Sequence, residues 1–347
     1  MSNLPFVSIV IPCRNEEQCI ANCLDSIIAN DFPKDKLEVL VVDGMSEDGT
    51  RAVLDAYACR YPFIKIFSNP NRVTPVAFNI GIGHARGDLV MIMSAHATYA
   101  LDAIRKCAEY SNQYNADNVG GVWKICPRKN GLLDKGIGLA LSHPFGVGGA
   151  RYRTGTDTEP RWVDTAAYGC YKREVFSKVG LFNERLIRGQ DMEFNLRLKK
   201  AGGKTLLVPD VVVNYYARSD FVSFLKHNFR NGVWAIVPVL YSPIMPVGWR
   251  HLAPLAFVLG LLGSAVLAIR QPVGMAAFLG LGGAYVAANL AASTHVAARE
   301  RAIRYVAVMP VVFASLHLSY GIGSLCGVAK IVSAVARRSW AIGQARS

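Results

Sequence analysis

Residues 87–99, GDLVMIMSAHATY, decide how this chain is read. Residues 89–93 are a continuous apolar run of strand length, which fits a β-strand covered on both faces. The run stops at Ser94-Ala95-His96, three small or polar residues. In open α/β sheets ligands gather outside the carboxyl ends of parallel strands, so a polar triplet there is a site candidate. The plainer alternative leaves Ser94 as a helix cap and His96 as a surface residue.

The same pattern repeats upstream. Residues 6–11 (FVSIVI) and 37–42 (LEVLVV) read as buried strands, and residues 64–67 as a third, shorter strand. Between them the spacing turns helical: residues 16–30 carry Ile20, Leu24, Ile27 and Ile28, and residues 50–61 and 74–84 also read as helices. Buried strands alternating with helices predict right-handed βαβ units and a parallel sheet. Arg14-Asn15-Glu16, Asp43 and Ser94-Ala95-His96 then share one edge of that sheet. A carboxylate just past a strand, as at Asp43, can accept hydrogen bonds from a base or a ribose. No GxGxxG follows the first strand, which argues against a dinucleotide fold. Gly202-Gly203-Lys204-Thr205 is no Walker loop, because Leu198 occupies the first glycine position and the order runs helix to strand. Gly146-Val147-Gly148-Gly149 is too short a signal for a dinucleotide.

Further along, residues 102–115 have amphipathic helical spacing, and residues 119–125, 162–166 and 206–215 have strand character. Residues 131–158 are rich in glycine, lack periodicity and read as a loop. Its amides, with Arg151 and Arg153, could order around a diphosphate; the alternative is two solvated arginines. Asp191 opens a helix whose apolar pairs are Met192/Leu196 and Phe194/Leu198, and capping of free amides is a sufficient structural role for it. Residues 218–234 form an amphipathic helix with Phe221, Phe224, Leu225 and Phe229 on one side, expected at a membrane surface; the alternative is a core-facing helix.

Hydrophobic residues make up 52% of the 347, high for a soluble protein, and the excess sits at the C-terminal end. Residues 247–347 hold one acidic residue, Glu300, against nine Lys or Arg within a net charge of +13. Basic residues that punctuate apolar runs suit an anionic membrane face. No basic patch is interleaved with aromatics, so nucleic acid is not an expected partner. The uncharged runs 252–269, 273–294 and 305–329 are each long enough to cross ~30 Å of hydrocarbon. The last is the least lipid-like, with Ser315, His317 and Ser319. A cytoplasmic start puts Arg299, Arg301 and Arg304 inside, as the positive-inside rule asks, but three crossings then put Lys330, Arg337, Arg338 and Arg346 outside. Either the third segment re-enters or residues 235–247 contribute a crossing. The eight cysteines show no CxxC spacing and read as reduced thiols of a cytosolic compartment. The first apolar run is too short, and too poor in preceding basic residues, for a signal peptide.

Several ordered motifs carry a resemblance: FVSIVIPCRNEE (6–17), VVDGMSEDGT (41–50), NIGIGHARGD (79–88), GCYKREVF (169–176) and GQDMEFNLRLKKAG (189–202). Over about residues 6–235 the chain resembles the GT-A-fold glycosyltransferases of family 2, and within them the bacterial exopolysaccharide enzymes of the succinoglycan glucosyltransferase type. The resemblance implies a Rossmann-like mixed sheet with flanking helices in a cytoplasmic catalytic domain (1–234). An interfacial segment and helical membrane region (235–347) would follow, multi-pass in a bacterial inner membrane. It implies that Pro12, Arg14, Asn15, Glu16, Asp43, Arg72, Asn79 and Ser94 surround a nucleotide-diphosphate sugar, with Asp43 on the nucleobase. The family's metal-binding Asp-x-Asp falls at 94–96. Ser94 and His96 replace the two aspartates here, so His96 would be a single protein ligand to Mn²⁺ or Mg²⁺; of the two, Mn²⁺ better tolerates an imidazole. Asp191 matches the family's catalytic base, with Gln190 in place of the usual Glu before it. Arg151, Arg153, Gln190, His227, Arg230 and Trp234 fall on the acceptor or diphosphate side, the last three loosely matching a Gln-x-x-Arg-Trp motif.

The implied function is inverting transfer of a sugar to a lipid-linked glycan or polyprenyl phosphate in surface polysaccharide assembly. One rival is a catalytically degenerate relative serving as a membrane scaffold, motivated by Ser94, His96 and Gln190. Another is a polyprenyl-phosphate sugar synthase, which differs only in acceptor.

Overall fold

A computed structural model describes residues 4–166, 169–217, 220–245 and 247–344. The chain divides into two compact units, Met1–Lys124 with Arg151–Tyr216, and Ile125–Ala150 with Ala217–Ser347. The expected boundary at residue 234 falls inside a helix of the second unit.

In chain order the elements are β1 (Val7–Cys13), α1 (Glu17–Ile28), β2 (Leu37–Asp43), α2 (Thr50–Arg60), β3 (Ile64–Ser68), α3 (Thr74–His84), β4 (Leu89–Ile92), β5 (Ala97–Tyr99), α4 (Ala103–Gln113) and β6 (Asn118–Pro127). Next come α5 (Leu132–Ala140), α6 (Pro144–Val147), α7 (Arg151–Thr154), β7 (Arg161–Val163), β8 (Cys170–Lys172), α8 (Glu174–Val179), α9 (Gln190–Lys200) and β9 (Thr205–Ala217). Four longer helices finish the chain: α10 (Phe221–Ile236), α11 (Ala253–Ala268), α12 (Pro272–Arg299) and α13 (Tyr305–Gln344).

The strands form one mixed sheet in the order β3-β2-β1-β4-β8-β6-β9-β5, with β7 also pairing β9. β3, β2, β1 and β4 are parallel, as the βαβ pattern predicts. Pairing turns antiparallel at β4–β8, β6–β8, β5–β9 and β7–β9. β1 and β2 are covered on both faces, which is why their sequences run apolar without alternation. α3 lies so close on β1 that a Cβ on Gly81 would stand 2.3 Å from Val10 Cγ1. Val10, Leu40, Phe78, Ile92, Tyr171 and Phe194 belong to the core between sheet and helices. Each such burial contributes roughly 1.5–3 kcal/mol.

Strand order reverses at β1, where β2 lies on one side and β4 on the other. This is the topological switch point, where a crevice opens at the carboxyl ends. Register sets Cys13 opposite Asp43 and Val10 opposite Ile92, so the ends of β1, β2 and β4 meet on one edge.

In the second unit α13 packs against α5, α10, α11 and α12. Met309, Val312 and Phe313 of α13 share a core with Ile137 of α5, Phe224 of α10 and Val296 of α12. Two expectations change here. The stretch 131–158 is not an aperiodic loop but three short helices. The face of α5 at Gly136 is closed by Val308, Met309 and Val312, which lie too far along the chain for local periodicity to reveal. The apolar face of α10 does not lie on a bare membrane surface either, because α13 covers it. A Cβ on Gly232 would stand 1.9 Å from the Tyr320 carbonyl oxygen, and one on Gly323 2.0 Å from that of Phe229.

Among the described residues, two helices, α12 and α13, are long and apolar enough to cross a membrane. The 16 residues of α11 extend only about 24 Å at 1.5 Å per residue. α11 and α12 turn large apolar side chains outward, among them Leu262 (53% exposed), Val266 (67%) and Leu279 (62%). The polar residues on α12 and α13 find partners inside the unit. Asn289 donates to the carbonyl of Pro310, where proline interrupts the hydrogen-bond ladder of α13 (3.0 Å). His317 lies between the Phe145 carbonyl (2.8 Å) and the Tyr285 hydroxyl (3.0 Å).

Candidate active site

Three successive strand-to-helix loops build one rim of the crevice. In the loop after β1, the Asn15 amide donates to Ser46 Oγ (3.0 Å) and Asn15 Oδ1 accepts from the Glu47 amide (2.9 Å). In the loop after β2, Asp43 is buried and accepts from the Ser46 amide (3.1 Å) and hydroxyl (2.6 Å). Glu47 collects Arg72 (3.0 Å) and Arg14 (3.9 Å). Each loop holds one non-glycine residue in the left-handed region: Asn15 (φ 53°), Met45 (φ 58°) and Arg72 (φ 59°). Such strain costs roughly 1–3 kcal/mol per residue and clusters at ligand sites. Nothing in the local sequence announces it at Met45 or Arg72.

Pro12 lies within β1, one residue before its end. Asn79 faces elsewhere: its amide donates to the Phe182 carbonyl and Glu184 Oε1 and accepts from the Phe182 amide, all at 2.9 Å. It braces residues 182–184 rather than the rim.

After β4 the chain turns through the triplet. Ser94 is buried, and its Oγ has no hydrogen-bond partner among the described residues. His96 is clasped on both sides, with Glu16 Oε1 3.2 Å from Nδ1 and the Tyr215 hydroxyl 3.1 Å from Nε2. Nδ1–H donates to the Glu16 carboxylate, and Nε2 shares a hydrogen bond with the Tyr215 hydroxyl. The Tyr215 ring stacks on Trp123 (4.4 Å, 11°).

Asp191 sits in the first turn of α9, after Gly189 in the left-handed conformation (φ 73°). Burial pushes its carboxyl above the usual carboxylate range, against the pull of nearby backbone amides and of the Arg153 guanidinium. One helical turn on, fully buried Asn195 locks α9 in place. It accepts from Asn118 (2.9 Å) and Tyr171 (3.2 Å) and donates to Thr165 (3.1 Å) and the Ala166 carbonyl (3.2 Å). Gln190 Oε1 is buried without a partner among the described residues. Arg151 pairs with Asp157 (2.8 Å), and Arg153 lies over the Trp123 ring (5.3 Å). In the second unit, His227 is half-buried, Arg230 is exposed and Trp234 stacks on Tyr241.

A family model, Glycosyl transferase family 2, matches residues 8–180. A dolichyl N-acetyl-alpha-D-glucosaminyl phosphate 3-beta-D-2,3-diacetamido-2,3-dideoxy-beta-D-glucuronosyltransferase of Methanococcus voltae is 34% identical over 65% of this chain and 72% of its own length. The chain belongs to glycosyltransferase family 2. The transferase is also 27% identical to the succinoglycan biosynthesis protein ExoA of Rhizobium meliloti, over 68% of this chain and 75% of that one. Its fold is GT-A. The mannosyltransferase PcManGT of Pyrobaculum calidifontis, solved with GDP-Man and Mn²⁺, superposes with a TM-score of 0.57 over 93% of this chain and 88% of its own, at 21% identity.

A divalent cation suits this fold, and the residues present bear on how one would be held. Among the described residues no three His, Cys, Asp or Glu side chains converge as a cage. Both nitrogens of His96 already have partners, so Nε2 becomes a ligand only when the Tyr215 hydroxyl gives way. Two residues before it in the chain, Ser94 Oγ has no hydrogen-bond partner among the described residues. The set fits a cation shared with a bound diphosphate, not one held by protein alone.

Proposed function

We propose that the transferase moves a sugar, with inversion, from a nucleoside diphosphate sugar to a hydroxyl or phosphate of a lipid-linked acceptor at a membrane. The observation that carries this is Asp191: a half-buried carboxyl at a helix start, raised by desolvation and tempered by one arginine. A base with a raised pKa suits proton transfer near neutrality. Asp191 takes the acceptor hydroxyl proton while the acceptor oxygen attacks the anomeric carbon. The bond from that carbon to the diphosphate oxygen breaks, and a single displacement inverts the centre. Asp43 holds the base, and Arg14 and Arg72 leave Glu47 for the diphosphate. His96, with diphosphate oxygens, would hold Mn²⁺ or Mg²⁺, which stabilises the charge gathering on the leaving group. Asn15, Glu16, Pro12 and Ser94 shape the donor cleft, and Asn79 acts through residues 182–184.

The second unit supports this acceptor class. Outward apolar side chains on α11 and α12 hold the enzyme at a bilayer, where a lipid-linked acceptor is met without a three-dimensional search. The named substrate of the Methanococcus relative is a dolichyl-linked sugar phosphate, and the Rhizobium relative is a succinoglycan biosynthesis protein. We read the chain as an inner-membrane enzyme of bacterial polysaccharide assembly, multi-pass, with residues 1–234 on the cytoplasmic side.

The test is turnover of a panel of nucleotide sugars by the full chain in detergent with membrane lipid extract. It is run with Mn²⁺, with Mg²⁺ and with chelator, beside Asp191→Asn and His96→Ala. Metal-dependent nucleotide release that vanishes in Asp191→Asn is expected. Turnover that survives chelator and His96→Ala removes the metal role. Nucleotide binding without turnover of any donor replaces the enzyme with the scaffold.

A further inference from the structure

The first unit holds an aromatic group around one expected site residue, Arg153, and its other members have been given no role. Trp123 of β6, Tyr215 of β9 and Tyr152 and Arg153 of α7 converge from three elements on the segment after β4. Trp123 is buried and stacks on Tyr215 (4.4 Å, 11°), and Tyr215 meets His96 edge-on (5.1 Å) as well as through its hydroxyl (3.1 Å). Tyr152 meets the Trp123 ring edge-on (5.2 Å). The Arg153 guanidinium lies over that ring (5.3 Å) and over Tyr152 (5.6 Å), and its charge reaches Asp191.

We propose that Trp123 is a positioning residue that sets both sides of the reaction centre, holding His96 through Tyr215 and holding Arg153 where its charge meets Asp191. This rests on Asp191 acting as the base. Arg153 Nε donates to the Tyr152 hydroxyl (3.3 Å), and the Trp123 face adds cation–π attraction on the guanidinium, which narrows the many rotamers open to an arginine. The stack makes one rigid block of the imidazole on the leaving-group side and the guanidinium on the base side. Simple core packing would fill the same volume without coupling the two.

The test measures kcat, KM and the pH dependence of kcat/KM for the full-length enzyme, with nucleotide release from the donor that the wild type turns over, for Trp123→Leu and Trp123→Phe. The groups that act on Asp191 are Arg153 from α7 and the amides of its own turn, with Tyr171 of β8 beside it. Arg153 favours the ionised carboxylate, so its release moves the acid limb to higher pH. Trp123→Leu should lower kcat at least ten-fold and raise the acid limb, and Trp123→Phe, which keeps a ring face, should restore most of both. Wild-type kcat in Trp123→Leu overturns the proposal, as does a loss of kcat with an unmoved limb or without rescue by phenylalanine. If Trp123→Leu does not fold, Arg153→Gln decides: a raised limb supports the proposal and an unmoved one overturns it. A wild type that turns over no donor defeats the functional reading itself, whereas active wild type with an unmoved limb defeats only this inference.

Discussion

Strand β4 and helix α12 are both apolar stretches, yet all four residues of β4 are buried while α12 leaves Val273, Leu279, Val286 and Leu290 exposed. In the first unit apolar runs end inside a sheet core, and the polar residues that follow them gather at one edge. In the second they line the outside of helices, and the polar residues turn inward, as Asn289 does toward Pro310. The contrast is the one that the proposed membrane attachment requires: water drives β1, β2 and β4 inside, whereas outward apolar side chains on α11 and α12 suit hydrocarbon.

The comparison can be broken by five measurements. Asp191→Asn should lower sugar transfer about 10²–10⁴-fold while leaving nucleotide binding and membrane attachment intact; release assays, calorimetry and flotation read these separately. Leu40→Ala, in the buried first core, should cost about 2–5 kcal/mol in denaturant unfolding. Leu279→Ala on outward α12 should cost less than ~0.5 kcal/mol in detergent; equal losses would mean that α12 faces protein. Leu279→Arg should weaken membrane insertion by about 2.5–3.5 kcal/mol, read by flotation on liposomes, and unchanged flotation removes the lipid-facing assignment. The smallest effect concerns pH. The Asp191 carboxyl is raised in the fold, so the folded state holds its proton longer than the unfolded chain does. Its charge therefore opposes folding above the raised pKa and ceases to do so as pH falls through it. Asp191→Asn should raise Tm slightly at neutral pH and lose that advantage in acid, and a lowered Tm at neutral pH would contradict the burial.

How much was legible followed from how local each cause is. β1, β2 and β4 could be read because a strand buried on both faces writes itself as an apolar run, with Asp43 and His96 falling just beyond. Asp191 could be read from its helix start and its motif. Trp123, Tyr215 and Asn195 gave no signal, since each matters through a partner from another element, such as Tyr171 and Asn118 for Asn195. Asn79 was expected on the nucleotide, but its partners at 182–184 lie a hundred residues away. The helices of 131–158 were missed because four- to nine-residue helices write little periodicity. Gly232 of α10 looked like a flaw in an amphipathic helix, whereas it is the point where α13 comes closest.

The second unit is discontinuous in sequence, with Ile125–Ala150 separated from the rest of its core, and that bears on how the protein is made. When α5 and α6 leave the ribosome, the α13 residues that cover them, from Val308 to Phe313, are not yet synthesised. At ~5–20 residues per second, roughly 150 intervening residues mean a wait on the order of 10–30 s. During that interval Ile137 and its neighbours lack the α13 side chains that cover them. The nascent chain thus passes through a stage with an exposed apolar flap, a target for chaperones or for the translocation machinery, until α13 arrives to seal it.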